Sequence, residues 1–249
     1  MRRFRGAQAL VWPLCAVLLA GCQLRVSVVV DIESHGAGRL RVGVAADRAL
    51  LRRAAEAGAD PLADVAAAGR RLAADGWVTT DSTAADGSRT VAVAVDFADP
   101  AQLESLTADL SAALDADEVR LLEPLQLTVT ADEIRVVGGA GLVPTRAVAD
   151  YGLTRRGAVR LLRDNQALDY RVRLRLPGEV VSTSAPVREA ATLTWPVTPG
   201  ESVRIRAVGT RPRQLWRAVV AGAVGGLLAL AVASLLLWRR RQARTAIRS

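Results

Sequence analysis

Two sets of residues in this chain have the types and the spacing to do chemistry. The first is the tetrad Leu19-Ala20-Gly21-Cys22, which closes an apolar run from Ala9 to Ala20 behind the basic start Met1-Arg2-Arg3-Phe4-Arg5. A basic head, about a dozen apolar residues and small residues at the end form the layout of a secretory signal peptide. Here the small residues lead into a thiol, and Leu-Ala-Gly-Cys fits the bacterial lipobox at every position. The expected chemistry is thioether formation. The sulfur of Cys22 takes a diacylglyceryl group with palmitate-class chains, the peptide is cut before it, and Cys22 becomes a lipidated N-terminus. The apolar run is shorter than the ~20 residues of a membrane span, which argues against an uncleaved helix.

The second set is arginine. Arg171, Arg173 and Arg175 alternate with Val172, Leu174 and Leu176. A strand there projects all three guanidinium groups from one side, about 6–7 Å apart. Arg204 and Arg206 repeat the pattern, and Arg155, Arg156, Arg160 and Arg163 lie nearby in sequence. Were the two strands neighbours, they would present an array of forks suited to phosphate oxygens. An anionic lipid headgroup beside a membrane would be its natural ligand. A solvated face paired with Asp and Glu across strands would give the same alternation.

Other chemistries find no support. His35 is the one histidine and sits between Ser34 and Gly36, in a turn context. With one imidazole and no spare thiol, a zinc site is excluded, and no metal or other cofactor is expected. No GxSxG elbow occurs, and Gly138-Gly139-Ala140-Gly141 lacks the Lys-Ser/Thr of a phosphate loop. The run Asp115-Ala116-Asp117-Glu118 lacks the ligand spacing of a calcium loop and reads as a solvated helix end. Nothing argues for an enzyme.

Charge narrows the partners further. The chain carries 33 basic residues, all arginine, against 25 acidic ones. Three arginines precede Cys22 and six stand at Arg217 or beyond Trp238. The 24 that remain between residues 23 and 213 nearly balance all 25 carboxylates. The basicity therefore belongs to the flanks, where it serves membrane topology, and nucleic acid is not an expected partner. Within the balanced stretch, residues 136–213 form a basic half and residues 23–135 an acidic one. Cys15 is lost with the signal peptide and Cys22 is acylated, so the mature domain has no disulfide and depends on burial.

The elements that must position the arginines follow from period. Val26, Val28, Val30 and Ile32, a Gly-rich turn, then Leu40, Val42 and Val44 read as a β-hairpin. Helices are expected over about 47–57 and from Asp60 (N-cap) to Gly76 (terminator). Trp77 to Thr83, the Asp86-Gly87 turn and Val91 to Phe97 make a second hairpin. Asp99-Pro100-Ala101-Gln102 starts a helix with Leu103, Leu106, Leu110 and Leu114 on one face. Leu125 to Val129 and Ile134 to Val136 form a third hairpin. Gly138, Gly139, Gly141 and Pro144 predict a loop over 138–145, and 154–163 reads as a short basic helix. Strands resume at Tyr170–Leu176, around Leu193 and Trp195, and over Val203–Ala207. The expectation is α+β: an antiparallel sheet with helices packed on one face.

Ala218 to Leu237 carries no charge and is bracketed by Trp216 and Trp238, with Arg239, Arg240 and Arg241 beyond. That predicts one transmembrane helix with a cytoplasmic C-terminus. Gly222 and Gly226 form a GxxxG pair that could support helix-mediated association. The plan is a signal peptide over 1–21, an extracytoplasmic domain over 22–214, a transmembrane helix over 216–238 and a basic cytoplasmic tail over 239–249.

This layout resembles the LppM-type lipoproteins of high-GC Gram-positive bacteria. The resemblance rests on Leu-Pro-Gly-Glu-Val-Val-Ser-Thr at 176–183, Leu-Thr-Trp-Pro-Val-Thr-Pro-Gly-Glu at 193–201 and Asp75-Gly76-Trp77. Ser184-Ala185 stands where that pattern carries Asn-Gly, so this turn is expected to be built differently. The resemblance implies an LppM-like domain with an apolar cavity or groove suited to lipid, and an anionic glycolipid ligand of the phosphatidylinositol-mannoside type. It implies no catalytic residues. Arg171, Arg173, Arg175, Arg204 and Arg206 are the candidate ligand-binding residues, and Cys22 is the lipidation site. The alternative is a non-enzymatic envelope scaffold that positions a partner membrane protein.

Overall fold

Valine-rich alternation builds the first sheet. The computed structural model describes residues 23–114, 119–144, 155–164 and 167–212. The expected signal peptide, Cys22, the acidic run at 115–118, the 216–238 segment and the basic C-terminal stretch lie outside the described residues. Strands β1 (Leu24–Ile32) and β2 (Gly38–Ala46) pair antiparallel around the Glu33–Ala37 turn. Val26, Val28, Val30 and Ile32 face inward and are at most 5% exposed. Helices α1 (Arg48–Glu56) and α2 (Ala63–Leu72) follow, then β3 (Val78–Thr83) and β4 (Arg89–Phe97). The side chain of Asp47 caps α1 by accepting from the Leu50 N–H at 2.7 Å. Asp60 does not cap α2. It accepts from the Leu62 N–H at 3.0 Å and holds Arg89 with its other oxygen, so the helix begins at Ala63.

Helix α3 (Pro100–Leu114) starts as its sequence predicts. Asp99 accepts from the Ala101 and Gln102 N–H groups, while the Gln102 side chain accepts from the Ala98 N–H at 2.7 Å. Leu103 and Leu110 are buried. Thr107, also buried, donates to the Leu103 carbonyl and accepts from the Leu125 N–H at 3.0 Å, which fastens the helix to the strand beyond.

A second sheet follows. Its strands are β5 (Val119–Leu122), β6 (Gln126–Val129), β7 (Glu133–Pro144), β9 (Val180–Thr183) and β12 (Ser202–Thr210). Helix α4 (Arg155–Asp164), β8 (Leu168–Arg175), β10 (Val187–Glu189) and β11 (Thr192–Val197) are the remaining α-helix and strands among the described residues. The seven-stranded sheet runs β10-β11-β8-β1-β2-β4-β3 and the five-stranded path runs β5-β7-β12-β9, with β6 paired to β7. Inner residues of both sheets belong to one hydrophobic cluster, which includes Val28, Val172, Trp195, Ile134 and Ile205. Fully burying one such side chain stabilises by roughly 1.5–3 kcal/mol before entropy is charged against it.

Two expectations need correction. The fold is α+β, but with two sheets, and the larger one is mixed because β8 lies parallel to β1. Alternation specifies which face a strand buries and carries no information on its direction. Next, 138–144 is strand rather than loop: β7 runs unbroken and pairs with β12 from Thr210↔Glu133 to Ser202↔Gly141. The glycines serve close approach, since a Cβ on Gly138 would collide with Leu125 and one on Gly139 with the Glu123 carboxylate. Among the described residues no helix is long and apolar enough to cross a membrane, and the expected span over 216–238 lies outside them.

Candidate functional site: an arginine-bearing sheet face

The alternation of β8 puts Tyr170, Val172 and Leu174 in the core and leaves Arg171, Arg173 and Arg175 exposed on the opposite, outward face. Burial pushes the Tyr170 hydroxyl's pKa up, and the hydroxyl donates to the Leu121 carbonyl at 2.7 Å. That bond ties β8 to the second sheet. Register then fixes the neighbours of each arginine. Arg171 lies beside Ser27 and Pro196, Arg173 beside Val29 and Thr194, and Arg175 beside Asp31 and Thr192. One strand further, Arg41 flanks Val29 and Arg39 flanks Asp31. Beyond those, Ala94 and Asp96 of β4 complete the rows.

The two central rows differ in kind. Arg175, Asp31, Arg39 and Asp96 alternate in sign. Arg39 grips Asp96 in a bidentate pair at 2.6 and 2.9 Å, and its hydrogen bonds hold the Asp96 carboxyl below the usual carboxylate range. The adjacent row, Arg173, Val29, Arg41, Ala94 and Val78, contains no carboxylate. Among the described residues none pairs with Arg41, Arg173 or Arg175, whereas Arg171 shares Asp169 with Arg25. Arg173 and Arg41 stand two strands apart, about 10 Å by sheet geometry. Val29 lies between them, and beyond Arg41 the row continues in Ala94 and the 62% exposed Val78 as an apolar floor.

A groove of about 490 Å³ lies over this floor, lined by Val29, Arg41, Val78, Thr80 and Ala94 with Arg39 and its acidic partners. Asp31, Arg39 and Asp96 also line a second hollow of about 620 Å³, which reaches Arg175, Phe97 and His35 at the β1–β2 turn. The interior offers less room. Between α3 and the sheet the apolar void bounded by Val28, Val42, Leu110 and Leu114 measures about 10 Å³. It is too small for an acyl chain. Of these three spaces, the groove over the floor is the one on the outward face with room for part of an amphiphile.

Arg204 and Arg206 are exposed too, but they are not neighbours of β8. They sit on β12 in the other sheet, beside Gly139 and Val137. The single array expected from sequence is therefore divided between two faces on either side of one core. The residue that sequence reasoning missed is Arg41, whose strand alternates as a plain hairpin arm. Only the β1–β2 and β1–β8 registers bring it level with Arg173. Helix α4 stands apart at the β11–β12 turn. There Arg163 donates to the Pro199 carbonyl and to Glu201 at 3.1 and 3.0 Å.

His35 is exposed, with Nδ1 3.5 Å from Glu33. Among the described residues no group of three or more His, Cys, Asp or Glu side chains could hold a metal ion.

The Ser184 turn is built on its hydroxyl, which donates to the Arg204 carbonyl at 2.9 Å. It accepts from the Arg206 N–H at 3.0 Å and from the Trp195 indole at 3.1 Å.

The profile of the LppM domain family matches residues 23–211. The fold is similar to the NMR structure of the folded domain of Mycobacterium tuberculosis LppM, at 16% identity and a TM-score of 0.46. That match covers 76% of this chain and 90% of the other. No curated protein matches the chain.

Proposed function

This chain belongs to the LppM family, and from that premise we propose that it is a membrane-anchored lipoprotein of the cell envelope. Its ectodomain binds an anionic amphiphile of the phosphatidylinositol-mannoside class on the outward face of the seven-stranded sheet. The family membership and the Leu19-Ala20-Gly21-Cys22 tetrad support the lipoprotein reading. The observation that carries the binding reading is the row Arg173, Val29, Arg41, in which two unpaired guanidinium groups flank an apolar floor. Guanidinium forks match phosphate oxygens, and the floor accepts the first apolar atoms below a headgroup. The reading assigns no catalytic step to the protein.

Co-sedimentation of residues 23–212 with vesicles containing phosphatidylinositol tests it. At about 1 kcal/mol per arginine near an anionic surface, Arg171→Ala, Arg173→Ala and Arg175→Ala together weaken binding roughly a hundredfold. Unchanged binding removes the arginine face from the account.

The rival reading is a scaffold for a partner membrane protein. It draws support from β3, an edge strand exposed along its whole length. Extraction of natively purified protein separates the two, because a scaffold carries no stoichiometric lipid.

A further inference from the structure

The described domain begins and ends at opposite ends of its central strand. β1 is the fourth of seven strands, so its ends mark the midline of the arginine face. At the start, the Gln23 N–H donates to Asp47 Oδ2 at 2.6 Å and the Leu24 N–H donates to the Ala167 carbonyl at 2.8 Å. The chain is thus fixed one residue after Cys22. At the finish, the Arg211 N–H donates to the Asp132 carbonyl at 2.8 Å. Its guanidinium donates to the Ser34 carbonyl at 2.7 Å and the Thr130 carbonyl at 2.9 Å. Ser34 belongs to the turn beyond Ile32, at the far end of β1 from Leu24.

Nine residues at ~3.3 Å, with the turn, put these two exits about 30 Å apart. The links to the membrane are shorter. Cys22 is two residues from Leu24, about 7 Å, and residues 212–215 before Trp216 reach about 14 Å fully extended. With Cys22 acylated and the 216–238 helix inserted, an upright domain would strand one exit some 30 Å above the bilayer, beyond either link.

We infer that the domain lies flat on the leaflet that anchors it, with β1 nearer the membrane plane than its normal and the seven-stranded sheet's outward face against the lipid. This inference rests on the two-anchor, anionic-ligand reading above. It adds that the ligand is a lipid still resident in the protein's own bilayer.

Charge selects the face. The outward side of β1, β2 and β8 carries Arg41, Arg173 and Arg175, which pair with no described residue, and Arg25, Arg39 and Arg171, which are held by Asp169 and Asp96, with Asp31 level with Arg39 and Arg175. The outer side of the other sheet carries Arg135, Arg204 and Arg206, with Arg135 held by Glu133 at 2.7 Å.

The test uses the full acylated chain in phosphatidylcholine vesicles containing phosphatidylinositol and a headgroup-quencher lipid. Processing leaves no free thiol, so a cysteine introduced at Thr80 or at Thr128 takes the fluorophore alone. Thr80 lies on the outward face of the seven-stranded sheet and Thr128 on that of the five-stranded sheet, and both are exposed. Quenching is expected to be severalfold stronger for Thr80→Cys than for Thr128→Cys. Thr194→Cys, on β11 beside Arg173, repeats the reading should Thr80→Cys fail to fold. Equal quenching at the two faces, or stronger quenching at Thr128, overturns the inference. If equal quenching accompanies intact co-sedimentation of the isolated domain, the geometry falls and the ligand reading stands. If co-sedimentation is lost while the face bias persists, the reverse holds.

Discussion

Strands Leu168–Arg175 and Ser202–Thr210 are written almost alike, with arginines at successive outward positions, and the fold uses them differently. The first sits third in a seven-stranded sheet, next to the central strand, where Val29, Arg41 and Ala94 extend its row across the groove. The second lies between β7 and β9, with Gly139 and Val137 level with its arginines. Three guanidinium groups on one strand become part of a surface because of what lies level with them. The same chemistry on the other strand remains two isolated charges. Alternation decides which way a side chain points, and register decides whom it meets.

The hardest blow to that contrast removes the part that holds both sheets. Trp195 is fully buried and belongs to the larger sheet while its indole reaches Ser184 beside the smaller. Trp195→Ala is expected to cost about 3–5 kcal/mol in urea unfolding, with both faces lost in one transition.

Next, Arg41→Ala with Arg173→Ala should weaken binding to phosphatidylinositol vesicles roughly thirtyfold, while Arg204→Ala with Arg206→Ala stays within about twofold. Equal losses from the two pairs would erase the distinction between the faces. Salt should diminish the larger effect, since these charges are exposed.

Arg39 provides a finer cut. Its fork is already closed on Asp96, so Arg39→Ala should reduce vesicle binding less than Arg173→Ala does.

The smallest effect expected is acid sensitivity. Asp60 is held low first by the Leu62 N–H and then by Arg89, and Asp81 first by Arg89. A depressed folded pKa contributes stability that is complete above the unfolded carboxylate value near about 4 and is lost as pH falls through the folded values. Thermal melts should therefore fall steadily below that pH, and Asp81→Asn should flatten the slope slightly.

Much of this was legible before any coordinates. The hairpins at Val26–Val44 and Trp77–Phe97, the Asp99/Gln102 helix start and the strand around Leu193 and Trp195 each rest on contacts close in sequence or on period. What stayed hidden depends on partners far along the chain. The parallel pairing of β1 with β8 joins segments some 140 residues apart, and nothing in either strand names the other. Glycines at 138, 139 and 141 signal a loop when read locally. In the fold all three are strand positions, and Gly138 and Gly139 are left bare so that Leu125 and Glu123 can lie across them. The candidate site divides along the same line. Arg171, Arg173 and Arg175 could be chosen from alternation, whereas Arg41 emerged only through register.

The Ser184 hydroxyl engages both a strand of one sheet, through Arg204 and Arg206, and the indole of the other. One oxygen thus acts as a rivet, so neither layer can peel away without breaking its hold on the other. Deuterium uptake at the Arg206 amide should therefore follow complete denaturation of the domain rather than fraying at its margin.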